Sequence, residues 1–83
     1  MEKDIGKVVH YFDKAGVAVI RLTDGLALGD MIKVRKGESE FTQTVESMQV
    51  EHKPVTSVKA GEEVAVKLSQ KTKQGGVVLK IEG

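Results

Sequence analysis

Cysteine, tryptophan and asparagine are absent from the 83 residues, which include one proline, one tyrosine and two phenylalanines. Without cysteine there is neither a disulfide framework nor a thiolate metal site. With so few rings the core must be aliphatic, in a chain near the lower size at which a core holds without staples. No run approaches the ~20 apolar residues of a membrane span. The charged start Met1-Glu-Lys-Asp4 does not resemble a signal peptide. These absences predict one soluble, cytoplasmic domain over residues 1–83, and the start reads as that of a whole small protein. A lack of asparagine beside many Lys, Glu and Val also suits a thermophile.

Charge of one sign is lacking as well: 13 basic residues face 12 acidic ones. The balance hides a polarity. Residues 1–51 carry seven basic and nine acidic side chains, and residues 52–83 carry six and three. That is far from the footprint of a dedicated nucleic-acid binder. Two histidines, at positions 10 and 52, do not make a metal site, which needs three or four converging ligands. Ser47 and Ser57 lie near His52 and Glu51 in the chain, but any small protein shows as much, and no nucleophile–base–acid arrangement stands out. The glycines at 75 and 76 read as a turn. No cofactor is expected, nor activity as an enzyme.

What is present is a series of short alternating runs with turn residues between them. Ile5–Phe12 and Val17–Leu22 flank Asp13-Lys-Ala-Gly16 and predict a hairpin. The second run is apolar on both parities, as in a central strand. Thr23–Asp30 reads as a loop and Met31–Arg35 as a strand with Ile32 and Val34 inward. Phe41–Val55 reads as one long, bent strand. Phe41 and Val45 share one parity and Met48 and Val50 the other, so a bulge or sharp coil is expected near Glu46-Ser47. The stretch ends at Pro54, which cannot donate to a ladder. Val64, Val66 and Leu68 face inward on the next run. A polar loop over 69–76 leads to a last strand, with Val77, Leu79 and Ile81 expected inward. The pattern predicts an all-β fold, a small closed antiparallel Greek-key barrel of six or seven strands.

Several of these runs resemble known barrels. Leu28-Gly-Asp-Met-Ile32, Thr44-Val-Glu-Ser-Met48, Ala60-Gly-Glu-Glu-Val64 and Gly76-Val-Val-Leu79 occur in the order found in the second domain of translation GTPases such as elongation factor Tu. Gly6-Lys-Val-Val-His-Tyr-Phe12, Gln43–Met48 and Glu51-His-Lys-Pro-Val55 are more similar to the C-terminal barrel of collagenase-like peptidases, and to free-standing elongation-factor-like proteins. The resemblance implies a detached accessory barrel of the translation-factor second-domain type. It does not bring a GTPase with it: no Gly-x-x-x-x-Gly-Lys-Ser/Thr run is present, so no nucleotide pocket is expected. No peptidase domain is present either.

Two groups of residues are candidate sites. His52 and Lys53 end the long strand and could stack on a base and pair a phosphate at the barrel rim; they could equally form a solvated turn. Lys67, Lys71, Lys73 and Lys80 could form a basic strip for backbone phosphates if their strands are adjacent. The same lysines could simply protect strand edges from aggregation. His10, Tyr11 and Phe12 offer either a stacking platform or packing at the barrel end. From these residues we expect a non-enzymatic module that binds tRNA or rRNA through the basic face. The alternative is a protein-interaction subunit that docks on a separately encoded catalytic chain.

Overall fold

A computed structural model describes residues 2–82. Among them are ten strands and no helix: β1 (Glu2–Phe12), β2 (Val17–Leu22), β3 (Leu26–Ala27), β4 (Met31–Lys36), β5 (Ser39–Thr44), β6 (Met48–Val50), β7 (Lys53–Pro54), β8 (Ser57–Val58), β9 (Glu63–Lys67) and β10 (Val77–Ile81). Eight of them make one sheet in the order β5-β4-β10-β1-β2-β9-β6-β7, and β3 pairs with β8 in a small second sheet. All the pairings are antiparallel.

The all-β class is as the alternation predicts, but the strand pairing is not that of a closed six- or seven-stranded barrel. Closure by strand pairing needs the two end strands of the sheet to join. Here β5 and β7 are those ends, and they do not pair. The cause lies in the stretch read as one long strand over 41–55, which is three strands. After Thr44 the chain leaves β4, and Val45–Ser47 is irregular. Val45 N–H donates to the Asp30 carbonyl at 2.8 Å, which holds this break in place. The break performs the parity switch: Val45 and Met48 are three positions apart and both buried.

β1 changes parity by a different device. Its ladder with β10 slips between Asp4 and Gly6, and its ladder with β2 slips between Val8 and His10. The extra residues at these bulges let Ile5 and Val8 both face the core. At the first bulge Gly6 N–H donates to the Asp4 carboxylate at 3.2 Å. Gly6 itself is required by a close approach, because a Cβ there would stand 2.5 Å from the Arg21 carbonyl oxygen.

The core is aliphatic, built from Ile5, Ile20, Leu22, Leu26, Ile32, Val34, Val64, Val66 and Val78 with their neighbours, and among the described residues no polar side chain is buried with them. Truncating one of the larger members to alanine costs about 2–5 kcal/mol in such an interior. Two expectations fail in detail. In β10 it is Val78 that is fully buried, while Val77, Leu79 and Ile81 are only partly so. β10 lies between β1 and β4 with apolar residues on both faces, so alternation alone could not choose its inner side. Residues 23–30 are also more than a loop: Leu26 and Ala27 pair with Val58 and Ser57, and Leu26 and Val58 are buried in the core.

Candidate docking groove

The apolar residues on the second parity of β2 have a separate use. Register places Val19 beside Ala65 of β9, and Ala65 beside Gln49 of β6; Arg21 lies beside Glu63. These rows form the outer face of the sheet, opposite the core. Because Ala65 is small, the middle row is low, and walls rise on either side. Phe12 and Ala15 supply one wall, and Val50, Glu51 and His52 the other. The result is an open groove of about 920 Å³ with Val17, Val19 and Ala65 along its floor. Phe12, half exposed at 49 %, stands at its edge with the His10 ring packed against it edge-on, centroids 4.3 Å apart. His10 and Phe12 thus form one exposed aromatic pair, while Tyr11 packs toward the core.

The wall at His52 has an unusual backbone. Val50 pairs with Lys53, so Glu51 and His52 are the two central residues of a tight hairpin, with φ of 51° and 66°. Two consecutive positive values define a type I′ turn, which favours Asn-Gly. Here two side chains with Cβ atoms hold the left-handed conformation at the groove rim, where a glycine would be the unstrained choice.

Charge around the groove is mainly acidic. Glu51, Glu62 and Glu63 line it with Arg21 and His52 as the basic members. Glu62 also accepts a hydrogen bond from Lys59 N–H at 3.1 Å. An apolar floor with a largely acidic rim suits a partner that presents an apolar centre and basic surroundings.

The predicted site residues are dispersed. His52 lines the groove, but Lys53 does not. Lys67 lies on β9 opposite Val17, at the end of the same face. Lys80 is on β10 and pairs with Asp30 at 3.3 Å. Two strands, β1 and β2, separate β9 from β10, so Lys67 and Lys80 are not on adjacent strands. Lys71 and Lys73 do come together, on the loop beside β4 and β5. Val17, Val19 and Ala65 were not singled out from sequence. The signal was there in the two-sided apolar pattern of β2, which reads equally as a central strand.

No His, Asp or Glu cluster among the described residues has the makings of a metal site. No described helix is long and apolar enough to cross a membrane.

No family model matches the chain. Over 73 residues, 87 % of the chain, it is 40 % identical to an uncharacterized protease of Methanocaldococcus jannaschii. The matched region is 18 % of that protein's length, so this chain corresponds to a small part of a much larger relative. In three dimensions it is similar to the C-terminal domain of a candidate U32 peptidase from Geobacillus thermoleovorans, with a TM-score of 0.89, 19 % identity, and coverage of 96 % of this chain and 93 % of that one. The selenomethionine variant of the same domain gives a TM-score of 0.86 at 19 % identity, covering 92 % and 96 %. The fold is therefore that of a peptidase C-terminal domain. Of the two resemblances in the sequence, these findings support the one to collagenase-like peptidases and not the one to elongation factor Tu.

Proposed function

We propose that this chain is a non-catalytic interaction module that docks, through the β2–β9–β6 groove, on the catalytic part of a peptidase-type protein. The observation that carries this reading is the size mismatch. A sequence 40 % identical to this one makes up 18 % of an archaeal protein named as a protease, which leaves the greater part of that protein to lie against it. The groove supplies a surface suited to such a contact: Val17, Val19 and Ala65 at its centre, half-exposed Phe12, and charged residues around them. The comparisons offer no support for the tRNA- or rRNA-binding role anticipated from sequence, and Lys67 and Lys80 do not stand on adjacent strands.

The test is a binding measurement between this chain and the remainder of the Methanocaldococcus protease, produced separately and treated with nuclease. A complex is expected by sedimentation or calorimetry. It should be lost when Val19→Lys is introduced on the groove floor and kept when Lys71→Glu is introduced elsewhere. A complex indifferent to Val19→Lys would remove the groove from the proposal, and the absence of any complex would remove the docking role.

A further inference from the structure

A second hollow lies between β5 and the loop over residues 68–76. Its floor is Phe41 and Val34, and its volume is about 160 Å³. Three lysines line it, Lys36 from the end of β4 and Lys71 and Lys73 from the loop, together with Ser39 and Thr72. No acidic side chain lines it. The ion pairs of the described residues involve Lys3, Lys33, Arg35 and Lys80, and leave these three lysines unpaired.

The loop that presents two of them is pinned. Gly75 N–H donates to the Val8 carbonyl, and Val8 N–H to the Gly76 carbonyl, each at 2.7 Å; Gly76 N–H closes the turn onto Lys73 at 3.2 Å. Gly75 has a φ of 93°, which a residue with a Cβ rarely adopts. A Cβ at Gly75 would meet the Lys36 amine at 3.2 Å, and one at Gly76 would meet the Thr72 hydroxyl at 3.2 Å. The glycines therefore leave room for the Lys36 amine and the Thr72 hydroxyl to lie against the loop.

We propose that this hollow binds a phosphate monoester. Three like charges gathered without a counter-ion repel one another, and a compact dianion relieves that repulsion. Lysine meets phosphate as a point charge, and the two hydroxyls add donors to its remaining oxygens. Strand-edge protection alone accounts less well for the arrangement, because it calls for charges spread along an edge and not for three facing one cavity. The volume suits a phosphate group with a small substituent, not a folded segment of another chain. Phe41 gives a planar or apolar substituent a surface to lie on. Unlike the nucleotide loops excluded by sequence, side chains and not backbone amides hold the anion.

The experiment is an amide chemical-shift titration of the whole chain with inorganic phosphate and, separately, with phenyl phosphate. Ionic strength is held constant with chloride. Saturable shifts are expected at Lys36, Ser39, Thr72, Lys73 and Gly75 with both probes. Lys36→Gln, Lys71→Gln and Lys73→Gln should each weaken binding by about fivefold, as for an exposed charge pair, and the triple variant should abolish it with the rest of the spectrum unchanged. Tighter binding of phenyl phosphate that is lost in Phe41→Leu identifies the ligand as an aromatic ester; equal binding identifies free phosphate as the source. Shifts that never saturate, or that persist in the triple variant, would overturn the proposal.

Discussion

The side chain of Gln43 accepts hydrogen bonds from both the backbone N–H and the hydroxyl of Ser69, at 2.7 and 3.1 Å. Its amide also donates to the Lys67 carbonyl at 2.9 Å. β5 is an end strand of the sheet, and this one side chain ties it to the chain leaving β9, on the far side of four other strands. It substitutes, with one residue, for a strand pairing that the sheet lacks. Gln43→Ala removes all three bonds and leaves solvent-accessible partners, so a loss of about 1–2 kcal/mol is expected. Thermal unfolding should fall by roughly 4–8 °C for each kcal/mol. Hydrogen exchange should quicken first at Ser69, whose N–H Gln43 holds, and an unchanged exchange pattern would show that β5 is held by other contacts.

Much of the sheet was legible because alternation and turn residues are local signals. The hairpin of β1 and β2, the inward Ile32 and Val34, and the parity change between Val45 and Met48 all follow from neighbours in sequence. The missing pairing between β5 and β7 was not legible, since it depends on where β5 ends in space. The separation of Lys67 from Lys80 escaped for the same reason: strand order is set by crossovers, and consecutive β9 and β10 sit three places apart. The groove was hidden by an ambiguity. Apolar residues on both faces of β2 serve a central strand and a docking surface alike, and the pattern does not distinguish them. The left-handed turn at Glu51-His52 left no sequence signal, because neither residue is one that such a turn favours.

Gly6 tests the packing at the first bulge. With a φ outside the left-handed region, its need for glycine is purely steric: a Cβ would lie 2.5 Å from the Arg21 carbonyl oxygen and 3.1 Å from the Ile20 side chain. The obstacle is backbone, which cannot rotate aside. Gly6→Ala should force β1 and β2 apart and cost about 2–4 kcal/mol, among the larger effects of single substitutions. Denaturant unfolding would measure it, and a cost below about 0.5 kcal/mol would mean that the strands yield easily.

His52 tests whether the strained turn serves the groove. A glycine at φ 66° carries no Cβ penalty, so His52→Gly should stabilise the chain by about 0.5–1 kcal/mol. The same change strips an imidazole from the groove wall. Weaker binding of the protease remainder, together with the gain in stability, would indicate that the strain is retained for contact. A gain in stability with binding intact would leave the turn without that role.

Two exposed ion pairs near the start of β1 set an expectation for acid. The Lys33 amine hydrogen-bonds Glu2 across β10, and that bond is the main reason the Glu2 carboxyl is held below its ordinary value of 4.5. Lys3 does the same for Asp24, whose carboxyl is held below 3.8 with help from the Gly25 N–H. A carboxyl whose folded value is depressed binds its proton more readily when unfolded, so it stabilises the fold above the unfolded value. That contribution is lost as pH falls below the ordinary values and through the folded ones. Lys3 is raised by the same partner, and its share is lost only as pH climbs past its folded value, above 10.5. Melting temperature should therefore drop between about pH 5 and pH 2, with a slope that is shallower in a Glu2→Gln, Asp24→Asn variant. Both pairs are exposed, so added salt should shrink the difference between variant and parent. Parallel pH profiles for the two proteins at low salt would show that these contacts carry no stability, and would place the acid sensitivity elsewhere in the sheet.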